Sequence, residues 1–170
     1  DPIQKTKVAI IGAGFGGLAM AIRLLQSQIN DFVILEKTND VGGTWRENQY
    51  PGAACDVQSH MYSLSFAPKT DWSKRYAEAD EIFTYIQDIT EQYKLKDYCK
   101  FNHEVTHAQF DENRNVWTVE FKDQPTLEAQ FVIFASGPLH VPQIPHIKGI
   151  EKFKGKVFHS SKWERDYDLS

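Results

Sequence analysis

Lys7-Val8-Ala9-Ile10-Ile11-Gly12-Ala13-Gly14-Phe15-Gly16-Gly17-Leu18 runs from an apolar segment through a cluster of glycines into a second apolar pattern. Val8 to Ile11 form a short apolar run closed by glycine, the pattern of a strand buried on both faces. Leu18, Ala19, Ile22 and Leu25 then recur at the spacing of a helix packed on a sheet. Asp31-Phe32-Val33-Ile34-Leu35-Glu36 is a second apolar strand. Strand, helix and strand within about 30 residues make a βαβ unit with a right-handed crossover.

Between the first strand and the helix, Gly12, Gly14 and Gly17 satisfy G-x-G-x-x-G, with Phe15 inside the pattern. Gly12 permits the tight turn, Gly14 lets the main chain approach a pyrophosphate, and Gly17 allows close packing of helix on strand. Phosphates would sit at the helix N-terminus, where unpaired N–H groups and the positive end of the dipole point outward. Glu36 follows Gly17 by nineteen residues, at the end of the second strand. A carboxylate there is placed to accept from both hydroxyls of an adenosine ribose and to repel a 2′-phosphate, which favours FAD or NAD over NADP.

The remainder of the chain fits an α/β fold. Glu78 to Tyr93 regains helical spacing, with Ile82, Ile86, Ile89 and Tyr93 on one side. Asn102 to Phe110, Val116 to Phe121 and Leu127 to Ala135 are predicted as three antiparallel strands, with Asp111 to Asn115 as the first turn. Phe131-Val132-Ile133-Phe134-Ala135 is wholly apolar and fits the interior of the parallel sheet. The expected architecture is a Rossmann-like domain with a central parallel sheet and a three-stranded β-meander. From Lys37 to Ser65 neither period holds, and Gly42, Gly43, Pro51 and Gly52 punctuate a long functional loop.

The 170 residues suffice for one domain, 41% hydrophobic and 25% charged, with a net charge of −4. That balance provides no basic face for a nucleic-acid backbone. Cys55 and Cys99 stand in unrelated contexts, which excludes a disulfide framework and a metal site and fits a reducing cytoplasm. The most apolar stretch, Val8 to Leu25, is broken by clustered glycines and Arg23, so no membrane span is expected. The chain opens on Asp1 and both ends look cut.

Gly42-Gly43-Thr44-Trp45, then Tyr50-Pro51-Gly52, then Asp56 fits G-G-x-W-x-x-x-x-Y-P-G-x-x-x-D. Two glycines let main chain pass near a dinucleotide, Trp45 and Tyr50 supply flat surfaces that exclude water, and Asp56 adds one charge. Phe153, Gly155, His159 and Trp163 fit F-x-G-x-x-x-H-x-x-x-W. Together with Ala135-Ser136-Gly137, these patterns resemble the fingerprints of the Baeyer–Villiger monooxygenases, within the class B flavin-containing monooxygenases. The resemblance runs from Val8 to Trp163. Ala54 stands where many members have arginine, and Glu164 where Pro or Asp is usual.

The resemblance implies the N-terminal part of an FAD-binding domain over residues 1–147 and, over 148–170, a hinge toward an NADPH-binding domain that this sequence lacks. It implies oxidation of a ketone to an ester or lactone with FAD, NADPH and O₂. Oxidation of nitrogen or sulfur substrates is the alternative, which Trp163 disfavours; a stand-alone dinucleotide-binding module is the other. Gly12, Gly14 and Gly17 would line the FAD pyrophosphate, with Glu36 at the adenosine ribose and Val105 at the adenine, and Phe15 and Lys37 would also contact the cofactor. Thr44, Trp45 and Tyr62 would contact the flavin half, Gly43 would pass near the pyrophosphate and flavin edge, and Ala135 and Gly137 would also contact the cofactor. Asp56 would act beside the flavin by positioning a cationic partner, the one catalytic assignment. No second glycine fingerprint follows Gly17, so the chain by itself is expected to lack turnover.

Overall fold

In a computed structural model of the chain, which describes residues 4–168, the glycine motif does lie between a strand and a helix. The outermost residues of the two predicted ranges, 1–3 and 169–170, fall outside the described residues. β1 (Gln4–Ile11) leads through the glycine turn into α1 (Phe15–Gln26), and β2 (Phe32–Leu35) follows. A one-turn helix α2 (Thr44–Glu47) comes next, then α3 (Ala79–Gln92) and the two-residue β3 (Cys99–Lys100). β4 (Val105–Asp111), β5 (Val116–Phe121) and β6 (Leu127–Phe134) complete the strands.

The six strands form one mixed sheet in the order β3-β2-β1-β6-β5-β4. β1 pairs in parallel with β2 and with β6, and β2 with β3. The meander β4-β5-β6 is antiparallel and continuous with the parallel part, because β6 belongs to both.

Alternation along β1 and β2 explains how both faces are buried. Val8, Ile10, Phe32 and Ile34 join Leu18 and Ile22 of α1 and Ile82, Ile86 and Ile89 of α3 in one core. Ala9, Val33 and Leu35 point the other way and pack with Val119, Leu127 and Ala129 of the meander. On α1 the buried face is Gly17, Leu18, Ala21 and Ile22, so Ala21 takes the place expected for Ala19. Two residues past the end of α1, Gln28 adopts a left-handed conformation (φ 60°), and Ile29 N–H closes the turn on Leu24 O at 2.9 Å. Glu128, 8% exposed, ties β6 to β1 through Lys5 at 3.4 Å and to the β4-β5 turn through Arg114.

Three expectations need correction. The 37–65 segment is not wholly irregular: it contains α2 and a turn of 3₁₀ helix over Ser59–Met61. The first meander strand starts at Val105 rather than Asn102, because Asn102 and His103 spend their N–H groups on Thr38 O (2.9 Å) and Glu36 O (2.8 Å). β6 sits between β1 and β5, yet Phe131 and Phe134 are 56% and 63% exposed, since no layer covers that part of the sheet among the described residues.

Candidate functional site

At the carboxyl ends of β1 and β2, where ligands bind in open α/β sheets, two loops meet the tip of α1. Gly12 N–H donates to Leu35 O at 2.8 Å, and the residue turns at φ 105°. A Cβ on Gly12 would lie 2.6 Å from Ala135 O, and one on Gly17 would lie 1.9 Å from Gly12 O. These two glycines are demanded by the fold itself. Gly14 differs: its φ is −86°, and a Cβ there would meet Gly43 Cα at an ordinary 3.7 Å. The helix that follows has no side-chain cap and no acid in its first turn. Its leading N–H groups are therefore available to an anion.

The second glycine pair docks on the first. Gly42 N–H donates to Ala13 O at 3.0 Å, and a Cβ on Gly42 (φ 127°) would strike the Phe83 ring at 2.6 Å. Gly43, at φ 53°, brings its backbone against Gly14, where a Cβ would lie 3.1 Å from Gly14 Cα. α2 starts directly after it with Thr44 and Trp45. The Trp45 indole N–H donates to Tyr62 Oη at 3.0 Å, and the two rings meet edge to face at 5.6 Å. Tyr62 in turn meets Phe15, the first residue of α1, at 5.2 Å. Phe15, Trp45 and Tyr62 thus form one aromatic group at the helix mouth.

Glu36 is 6% exposed, which rules out a solvated strand-end acid. Its Oε2 accepts from Ala13 N–H at 2.9 Å, and its Oε1 from the N–H and hydroxyl of Thr38 at 2.9 and 2.8 Å. Lys37 pairs with Glu47 of α2 at 3.1 Å. Val105 packs on the meander side of the sheet, two residues beyond His103, whose N–H reaches Glu36 O at 2.8 Å. Ala135 lies against the Gly12 turn, its N–H on Ile11 O at 2.9 Å. Gly137 (φ 73°) is exposed, with nothing within 4 Å of where a Cβ would stand.

Asp56 is exposed, and its carboxylate makes no hydrogen bond or ion pair among the described residues. It is near enough to act on Tyr62, whose phenol is pushed above its usual value. Burial is the main cause; the Trp45 hydrogen bond opposes it, and the charges of Cys55 and Asp56 add to it. The structure therefore brings together Gly12, Gly14, Phe15, Gly17, Glu36, Gly43, Thr44, Trp45, Tyr62 and Ala135, with Lys37 and Val105 flanking Glu36. It joins Asp56 to them only through Tyr62.

Sequence reasoning missed three contributors. Thr38 clamps Glu36, and the legible signal was a hydroxyl residue two positions after a strand-end acid. Tyr85 of α3 stacks on Phe15 at 6.0 Å, while its hydroxyl accepts from Leu64 N–H at 2.9 Å and donates to Ala67 O at 2.7 Å. It thereby pins the loop that carries Tyr62. Arg165 donates to Gln49 at 2.8 Å, joining the third fingerprint to the second; nothing in the sequence announces that contact. His159 accepts from Ser161 N–H at 3.1 Å and caps the short turn that leads to Trp163.

A cradle for FAD requires an open anion site, a free acceptor near it and a flat apolar wall. The uncapped α1 tip, Glu36 Oε2 and the Phe15-Trp45-Tyr62 group meet those requirements. No helix of the described residues is long and apolar enough to cross a membrane.

The family model for pyridine nucleotide-disulphide oxidoreductases matches residues 9–169. A Baeyer–Villiger monooxygenase of Streptomyces coelicolor is 44% identical over 167 residues, 98% of this chain and 32% of that protein. One of Pseudomonas aeruginosa is 46% identical over 163 residues, 96% of this chain and 31% of that protein. Among solved structures, oxidized steroid monooxygenase bound to NADP superposes with a TM-score of 0.85 at 35% identity, over 96% of this chain and 32% of its own. Cyclohexanone monooxygenase from Rhodococcus sp. Phi1 bound to NADP⁺ gives 0.88 at 30% identity, over 99% and 32%. The resemblance read from the fingerprints is borne out, and the chain spans about a third of the length of these relatives.

Proposed function

Because the chain belongs to the pyridine nucleotide-disulphide oxidoreductase family, we propose that it is the FAD-binding part of a longer NADPH- and O₂-dependent Baeyer–Villiger monooxygenase. The observation that carries the reading is the approach of Gly43 to Gly14, which sets Trp45 and Tyr62 beside the uncapped tip of α1. Bound FAD would supply electron transfer from NADPH and activation of O₂ toward a small ketone.

The chain's own residues bind, orient and exclude water. The first-turn N–H groups of α1 hold the pyrophosphate, and Gly14 and Gly43 lack the side chains that would stand in its way. Glu36 accepts from the adenosine ribose through Oε2 while Ala13 N–H and Thr38 hold the carboxylate still. Lys37, drawn to Glu47, and Val105 border the adenosine end. Trp45, Tyr62 and Phe15 form an apolar wall at the flavin end that keeps water from the reacting centre. Ala135, just beyond β6, borders the site at the Gly12 turn, and exposed Gly137 follows it toward the cofactor. Asp56 holds a cationic partner beside the flavin, a role that its unpaired, exposed carboxylate leaves open.

Residues 1–147 are the FAD-binding part in this reading, and 148–170 lead toward the NADPH-binding domain. Two unpaired thiols, Cys55 and Cys99, support a cytoplasmic setting. The test is to express the complete gene product and follow NADPH consumption with ketones and with sulfides. Ketone-dependent consumption with stoichiometric FAD is expected; sulfide oxidation without ketone oxidation would overturn the Baeyer–Villiger assignment.

A further inference from the structure

We propose that Thr38 is a positioning residue of the nucleotide site: it fixes Glu36 in the orientation that leaves a carboxylate oxygen for the adenosine ribose. The inference rests on the reading of Glu36 given above. Glu36 is buried, and no cation pairs with it among the described residues, so its charge is held by hydrogen bonds alone. A carboxylate offers about four lone-pair positions. Thr38 takes both on Oε1 through its N–H and its hydroxyl, and Ala13 N–H takes one on Oε2. The remaining position is on Oε2, the oxygen already tied to the glycine loop.

The terminal torsion of a glutamate is soft and has no sharp rotamer of its own. What fixes it here is the pair of Thr38 donors on one oxygen, opposed by Ala13 on the other. Thr38 is itself anchored, since its carbonyl accepts from Asn102 N–H at 2.9 Å. Its hydroxyl also has a second acceptor in reach, Asp40 O at 3.0 Å. The hydroxyl thus sits between the Glu36 carboxylate and the Asp40 backbone, which limits where it can move. Asp40 is held in place by Lys96 at 3.1 Å and caps Val41 N–H at 2.9 Å. The segment from Glu36 to Val41 is therefore a hydrogen-bonded frame around one acceptor.

The experiment titrates the apoprotein of the complete gene product with ADP and with 2′,3′-dideoxy-ADP, which lacks both ribose hydroxyls. Wild type is expected to prefer ADP by roughly tenfold, the scale of one hydrogen bond to a charged group. Thr38→Val should shrink that preference to about twofold, with dideoxy-ADP affinity unchanged as the control for folding, and Thr38→Ala should behave alike. Thr38→Ser should restore it. A Thr38→Val protein that discriminates as wild type does, or a Thr38→Ser protein that fails as Thr38→Val does, overturns this inference alone. A wild type indifferent to the hydroxyls overturns the Glu36 reading and this inference with it.

Discussion

Gly17 has no room for a side chain, because a Cβ would stand 1.9 Å from Gly12 O, and Gly12 has none because Ala135 O would be 2.6 Å away. Gly14 has room, at 3.7 Å from Gly43 Cα and an ordinary φ. Gly12→Ala and Gly17→Ala are thus expected to lower the thermal midpoint of the apoprotein. Gly14→Ala should leave it unchanged while FAD affinity, measured by calorimetry, falls about tenfold or more. Glu36→Gln removes the charge that Ala13 and Thr38 hold, and should likewise weaken FAD binding by about tenfold or more. The ionisable groups give a separate expectation. Burial is the main cause that pushes the Cys99 thiol from 9.0 to about 12, helped by the Glu36 charge. Tyr62 and Tyr85 are also raised, chiefly by burial. An acid raised in the folded state keeps its proton there, so its contribution is complete below the unfolded value and lost as pH climbs toward the folded one. Denaturant unfolding should therefore show stability falling between about pH 9 and 12, and less steeply in Cys99→Ala.

β1 and β2 were legible as short apolar runs, and α1 and α3 by their helical spacing, each bounded by glycine or polar residues. The nearness of the glycine motif to Glu36 was legible because their spacing is set by one βαβ unit, and Ala13 N–H does donate to Glu36. β3 was not, having two residues, Cys99 and Lys100, whose strand character comes from pairing with Ile34 and Leu35. The start of β4 was misread because Asn102 and His103 are held by the backbone of Glu36 and Thr38, a tertiary cause with no local sign. α2 is a single turn, built on Gly43 at φ 53° rather than on helical periodicity. The contact that makes it part of a site is Trp45 on Tyr62, seventeen residues apart. Tyr62→Phe would leave the indole N–H without its acceptor and should cost about 1–2 kcal/mol in denaturant unfolding. In α3, Ile86 is fully buried in the core that also holds residues of α1, β1 and β2, and Ile86→Ala should cost about 2–5 kcal/mol by the same measurement.

At the scale of the whole molecule, apolar side chains concentrate in two uncovered places. Phe131 and Phe134 lie bare on β6, and Leu139, Val141, Ile144, Phe153 and Val157 lie bare along the segment beyond it. Bare apolar side chains are a feature of surfaces that another part of a protein covers. Their exposure fits the proposal that these residues continue into the remaining two thirds of a longer enzyme. On that account the 170-residue chain alone gives no ketone-dependent NADPH oxidation, whereas the complete gene product does, both read as loss of NADPH absorbance. The most direct test of the central claim is a crystal structure of the complete gene product with FAD. The pyrophosphate is expected within hydrogen-bonding distance of the first-turn N–H groups of α1, with a ribose hydroxyl on Glu36 and the flavin end beside Trp45. FAD bound away from the α1 tip, or with Glu36 and Trp45 out of contact with it, would contradict the account.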